Sequence, residues 1–386
     1  MSPALRLHLT ALYVASVGLN AGMVWLALLL SSAGLRNGQV AALLLCVPVA
    51  GLLAAPLQAW WADRHDDRAG ALRIASVVVW FGALGVQLGG TVASFALALC
   101  VLGAGRPAQS ALLDGTTLEL LGEQRDQYGS LRAWGTASFV ATVAIGGLLQ
   151  QRFAGGGWWP AVLLASCAVV LTWRLPRARV GAVPRSPWPL LQHPELRPLA
   201  VVGVLHGVTL SSYDAFFSLL VAERGLPASI TGAAVAAGAL TEVVVFALGA
   251  PLLRVVGDRR LVWIGVLSGL PRWVGTAWVQ APAALIALQC LHGLGFGAFW
   301  LGGVSLVARL APRDLSSSAQ AMLGICTFGL GTVLTMAAGS QLLDRVGVER
   351  WFAGLAVVSV LAASAFAAQS SSIPGAGCCR GAPRRP

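Results

Sequence analysis

Three ionisable side chains stand deep inside long apolar runs of this sequence: Arg106, Glu242 and Arg272. At 1.5 Å per helical residue each lies roughly 16 to 21 Å from the entrance of its run, which is near the middle of a bilayer. A charge at the centre of a membrane helix costs about 2.5 to 3.5 kcal/mol on insertion scales, so each one requires a partner or a wet cavity. Glu242 is the carboxyl expected to take up and release a proton, because a partly apolar cavity makes a carboxyl's protonation responsive to its neighbours. Arg272 is expected to hold it ionised until protonation or a bound guest weakens the pair. His292 both donates and accepts, and imidazole ordinarily titrates near neutrality. Asp214, beside Tyr213 and close to Phe216 and Phe217, completes the set. The alternative for these groups is a fixed structural network that never titrates.

Arg106 offers a planar fork that matches a carboxylate with two hydrogen bonds, so an anionic guest suits it. Its alternative role is to pack helices against a nearby carboxylate. Asp114, two turns further along, is expected at a gate or against loop arginines. His206, two turns before Asp214, serves a structural role at least as readily as a ligand role. Trp134, Phe296 and Trp300 offer flat faces for an aromatic guest, although with 14 tryptophans most must be packing or interface residues.

The elements that position these residues follow from composition. Of 386 residues, 57% are hydrophobic and 11% charged, against roughly a quarter charged in soluble domains. A hydrocarbon core about 30 Å thick takes roughly 20 apolar residues per helix. Apolar runs near 5–30, 39–61, 72–92, 94–118, 129–150 and 158–174 predict six spans, and runs near 198–220, 228–252, 261–280, 283–308, 319–342 and 350–369 predict six more. The fold class is therefore an all-α membrane protein of twelve transmembrane helices. Residues 1–173 form one six-helix half, 174–197 a Pro- and Arg-rich linker, 198–370 the second half and 371–386 a disordered tail. The first run is too long for a signal-peptide core and no small-residue cleavage pattern follows it, so it is expected to persist as a helix.

All 26 basic residues are arginine. Nineteen fall at the amino end, in the even-to-odd loops and in the tail; five (Arg36, Arg152, Arg224, Arg345, Arg350) fall in the opposite loops. Positive charge stays on the cytoplasmic side, so both termini are expected there, in a cytoplasmic (inner) membrane. Without lysine neither a Walker A phosphate loop nor a Schiff base can be built. The net charge of +11 is spread over short loops rather than gathered on a soluble face, which argues against nucleic acid. The seven cysteines lack paired CxxC spacing and read as small core hydrophobes, although Cys378 and Cys379 in the basic tail are candidates for acylation. The glycine-rich GLGFG at 293–297 sits within an apolar run and reads as a close helix contact. Neither HExxH nor GxSxG occurs, so no enzyme, metal or organic cofactor is implied.

An internal repeat supports the division into halves. APLQAWWADR at 55–64 recurs as APLLRVVGDR at 250–259, with Asp258 and Arg259 matching Asp63 and Arg64. Around the first copy, ADRHDDRAGALR at 62–73 resembles the loop signature of the major facilitator superfamily. Asp63, Arg64 and Arg68 stand where that motif has its acid and bases, while Ala59 and Asp66 replace its glycines. YGSLRAWGTASF at 128–139, SSYDAFF at 211–217, LPRWVGTAW at 270–278 and LHGLGFGAF at 291–299 together resemble the phenylpropionate permease branch of that superfamily. Lactose permeases and nucleoside:proton symporters share more distant versions. Compared with lactose permease, Arg132 matches a sugar-contacting arginine, and Asp214, Glu242, Arg272 and His292 match polar residues of its binding and coupling network. Gly295, Gly329 and Ser110 depart from its proton-carrying glutamate, a lysine and a sugar-binding glutamate, respectively.

The resemblance implies a monomeric secondary transporter, rocking its halves about a central site to move a small aromatic or other organic acid with protons. Efflux of drugs or metabolites, and nucleoside or sugar symport, remain alternatives. A membrane-embedded enzyme or receptor would need a clustered catalytic set or a soluble domain.

Overall fold

The structure, a computed structural model, describes residues 2–65, 67–176, 196–311 and 316–370, with the side chains of 55–56, 59–60, 62–64, 125–126, 129, 316–318, 321 and 369–370 excepted. The expected linker falls almost wholly outside the described residues, as does the expected tail. Among the described residues there is helix and no strand.

Each predicted span has its helix. In chain order these are α1 (Pro3–Ser32), α2 (Asn37–His65), α3 (Arg68–Leu88), α4 (Val92–Leu121), α5 (Tyr128–Arg152) and α6 (Gly156–Thr172). The second set is α7 (Leu196–Glu223), α8 (Ala228–Ala247), α9 (Asp258–Leu267 and Gly269–Trp278), α10 (Pro282–Leu310), α11 (Met322–Val346) and α12 (Val348–Ser370). Ten are long and apolar enough to cross a membrane as unbroken helices; α6 is shorter and α9 is interrupted. Proline explains the interruption. Pro271 has no N–H to give the carbonyl of Leu267, and the helix breaks at Ser268. Pro251 stands in the same relation to Ala247, where α8 ends in a kink at Leu248 before the short helix Gly249–Val255.

Leu53, Leu97, Phe81, Leu163 and Val255 are all more than half exposed on the outer surface. In water such a surface would be unstable; in lipid it is the expected exterior, since helices satisfy most of their backbone groups internally.

In the first half α1 packs on α5 and α6, α2 on α4, and α3 on α4 and α6. In the second, α7 packs on α11 and α12, α8 on α10, and α9 on α10 and α12. Adding six to each member of the first set yields the second. The halves meet through α2 with α11, α5 with α8, and α1 with α7, a set that maps onto itself under the same exchange. That is a two-fold relation between parallel repeats. The hydrogen bonds that join the halves among the described residues lie at the arginine-poor end: Asn37 Nδ2 donates to Glu223 Oε1 at 2.8 Å, Gly38 N to Asp344 Oδ1 at 3.0 Å, and Gln151 Nε2 to Ser229 Oγ at 2.6 Å. The molecule is thus closed at that end.

Candidate functional site

A cavity of about 190 Å³ lies between the halves, lined by Phe139 of α5 and, from the second half, by Tyr213, Asp214, Glu242, His292, Phe296 and Phe328 with smaller apolar residues. Along α7, every residue from Ser211 to Leu220 is buried except Asp214, whose carboxylate opens into this cavity while remaining deep in the protein.

Two π-helical turns shape the wall, Gly293–Ala298 in α10 and Ile325–Leu330 in α11. A π turn adds a residue to the helical register and loosens nearby carbonyls from their usual donors. Side chains from neighbouring helices reach those carbonyls: Thr241 Oγ1 lies 2.9 Å from the Cys290 carbonyl, and His206 Nε2 lies 3.1 Å from that of Gly295. The acceptor is a carbonyl, so Nε2 of His206 carries the proton. His206 is buried, with its ring 4.4 Å from that of Phe299.

The π turn begins where α8 and α10 touch. A Cβ on Gly293 would stand 2.6 Å from Glu242 N, so only glycine admits this approach. The contact sets Glu242 beside His292, with Oε2 3.8 Å from Nε2. His292 itself lies between Tyr213, at 5.6 Å between ring centroids, and Phe296, at 5.8 Å and 14° between planes. Trp300 continues the stack behind Phe296 at 6.2 Å and packs on Phe328, so it supports the cavity wall rather than lining it.

Arg272 departs from expectation. It is 1% exposed and does not bond Glu242. Its Nε donates to Gln289 Oε1 at 2.9 Å, and its guanidinium carbon lies 4.2 Å from the ring centroids of both Tyr213 and Trp273. Gln289 is fixed in turn by donating to Thr276 Oγ1 at 3.0 Å. Two aromatic faces and a neutral acceptor thus replace the expected carboxylate, and Glu242 is left to His292.

Arg106 donates through Nε to Asn20 Oδ1 of α1 at 2.7 Å. Arg132 is drawn away from the cavity: its Nη1 bonds Asp114 Oδ2 at 2.7 Å and Tyr128 Oη at 3.0 Å, and Tyr13 Oη donates to Asp114 at 2.8 Å. This clasp ties α1, α4 and α5 together, and the arginine that Asp114 meets lies within α5 rather than in a loop. Trp134 is 59% exposed and, like Arg132, is absent from the cavity lining.

In the loop motif, the side chains of Asp63 and Arg64 lie outside the described residues. Arg68 Nη1 donates to the Gly115 carbonyl at 3.2 Å, tying α3 to α4. In the second copy Asp258 accepts Arg309 Nε at 2.9 Å and Nη2 at 3.1 Å, and the backbone N–H of Arg259 donates to it at 2.7 Å. Sequence reasoning missed Asn20, Thr241, Gln289 and Arg309; the amides Asn20 and Gln289 inside apolar runs were a usable signal.

Residues 9–353 match the family described as MFS_1 like family. The chain belongs to it. This major facilitator protein is 27% identical over 322 residues to the maltose permease of Geobacillus stearothermophilus, covering 81% of this chain and 82% of that one. It is 26% identical over 220 residues to the probable 3-phenylpropionic acid transporter of Escherichia coli (strain K12), covering 55% of this chain and 58% of that one. Its fold is similar to that of the nucleoside transporter NupG, with a TM-score of 0.85 at 15% identity over 96% of this chain and 100% of that one. A bacterial homologue of the lysosomal transporter Spinster, in an inward-facing and unoccupied conformation, superposes with a TM-score of 0.76 at 13% identity over 96% of this chain and 98% of that one. The protein is a multi-pass membrane transporter of the major facilitator type, and its cargo is a small solute.

Proposed function

We propose that this transporter moves a small aromatic organic acid together with protons, by rocking of its halves about the central cavity. The observation that carries the reading is the division of chemistry around that cavity. Phe139, Phe296 and Phe328 give apolar ring surfaces, and Asp214 and Glu242 with His292 give proton-accepting groups; Arg106, which stands outside the lining itself, has terminal nitrogens with no bond among the described residues. An aryl acid needs a ring slot and a fork for its carboxylate. A cavity below the roughly 300 to 1,000 Å³ of drug-sized pockets favours a guest of about one ring. The boundaries expected for the two halves, linker and tail belong to this reading, as do a monomeric state and placement in the cytoplasmic membrane with both termini inside. The closed arginine-poor end is then the outer end, and the conformation is inward-facing.

A second reading is favoured by one observation: carboxylates and an imidazole in the lining also bind hydroxyl groups, and the maltose permease relative aligns over more of the chain than the phenylpropionic acid transporter does. The deciding experiment is uptake of labelled 3-phenylpropionate, with labelled maltose in parallel, into right-side-out vesicles under an imposed inward proton gradient, with and without a protonophore. Gradient-dependent accumulation of the acid supports the first reading. Accumulation of maltose alone supports the second, and accumulation of neither, by folded protein, overturns proton-coupled import of both.

A further inference from the structure

Asn20 lies midway along α1, in a 3₁₀ turn that runs Leu19–Gly22. Gly18 and Gly22, two residues to either side, form the face of α1 pressed against α5 and α6: a Cβ on Gly18 would collide with Ser138, and one on Gly22 would stand 2.5 Å from the Cβ of Ala161. Asn20 is turned away from that packed face, toward α4. There its Oδ1 accepts from Arg106 Nε at 2.7 Å, while its Nδ2 donates to the Ser16 carbonyl at 3.0 Å. The amide has one workable orientation, since guanidinium only donates and a carbonyl only accepts.

This bond fixes the plane of the Arg106 guanidinium and engages only its inner nitrogen. Nη1 and Nη2 have no hydrogen bond or ion pair among the described residues. An aspartate at position 20 would accept from Nε in the same geometry but would cancel the positive charge. Asparagine holds the fork and leaves its charge uncompensated within the first half.

We propose that Asn20 is a positioning and specificity-determining residue: it aims the free edge of Arg106 at a solute carboxylate and, being neutral, preserves the charge that selects an anionic solute over a neutral one of the same shape. This rests on the reading of the cavity as a site for a carboxylate solute.

The test titrates purified full-length protein in nanodiscs with 3-phenylpropionate and with 3-phenylpropionamide, following the thermal unfolding midpoint to obtain an affinity for each. The wild type is expected to favour the acid. Asn20→Asp is expected to lower affinity for the acid by about tenfold or more, leaving the amide's unchanged, so that the acid-to-amide ratio collapses. Asn20→Ala keeps the charge but frees the fork; its affinity for the acid falls severalfold while some preference for the acid remains. An unaltered acid-to-amide ratio in Asn20→Asp overturns the role of Asn20 and leaves the cavity reading standing. A wild type stabilised by the amide as well as by the acid, or by neither, overturns both. Should Asn20→Asp fail to fold, an Asn20→Ala protein with undiminished affinity for the acid overturns the role of Asn20 alone.

Discussion

Glu242 Oε2 lies 3.8 Å from His292 Nε2, and the imidazole is held between the rings of Tyr213 and Phe296. The pair faces the cavity from α8 and α10, and one glycine contact sets its spacing. Stacking fixes the ring plane and holds the imidazole beside the carboxylate.

Removing the acid of this pair is expected to uncouple transport rather than abolish binding. In Glu242→Gln, gradient-driven accumulation of solute should fall to equilibration, while exchange of labelled for unlabelled solute across the vesicle membrane continues. Accumulation at the wild-type level in this variant would place the proton elsewhere, with Asp214→Asn the next variant to measure.

Gln289 is expected to matter chiefly through Arg272. Gln289→Leu leaves the Arg272 Nε without its acceptor in a site where the guanidinium is 1% exposed. A buried donor stranded in this way costs about 1–3 kcal/mol, and more when charged. The thermal midpoint in nanodiscs should fall clearly. For comparison, Arg309→Ala removes a largely exposed partner of Asp258 and is expected to cost less than about 1 kcal/mol.

The closed end supplies a conformational prediction. Asp344 accepts from the backbone N–H of Gly38, and Glu223 from Asn37, each bond joining one half to the other. A hydrogen bond worth about 1 kcal/mol corresponds to a roughly fivefold shift in a two-state equilibrium. Asp344→Ala with Glu223→Ala should therefore speed maleimide labelling of Ser229→Cys, measured in a background with the native cysteines replaced by serine. An unchanged rate would mean that apolar contacts alone hold this end shut.

Two glycines offer a paired stability test. Gly293→Val inserts a side chain against the backbone of Thr241 and Glu242, and overpacking of this kind costs at least about 1–3 kcal/mol. Gly354, in α12, has open space where its Cβ would stand, and Gly354→Ala should stabilise by up to about 1 kcal/mol through helix propensity. The two thermal midpoints should move in opposite directions.

The span positions and the pairing into two sets of six were legible because apolar length and arginine placement are properties of the chain taken locally. The break in α9 was legible in principle, since Pro271 follows Leu267 by four residues. The partner of Arg272 was not. A guanidinium at mid-span demands an acceptor, but sequence does not say whether a carboxylate from α8, an amide from α10 or two aromatic faces will meet it; that depends on how α9 rotates after its break. The π turns were hidden for a similar reason, since GLGFG permits close packing without specifying an extra residue per turn. Arg132 was aimed at a guest by resemblance, whereas Asp114 and Tyr128 hold it.

The tally of charge about the cavity has an electrical consequence. Arg106 and Arg272 carry two positive charges, and Asp214 and Glu242 two negative ones when both are ionised, so in that state the empty site sums to zero with His292 neutral. Moving one net charge through a membrane at 100 mV involves about 2.3 kcal/mol. Return of the empty carrier then shifts no net charge, and a carrier that takes one proton with one monovalent anion shifts none when loaded. Clamping the membrane potential should leave both the rate and the final accumulation where they were, with the pH difference alone setting how far the solute is concentrated.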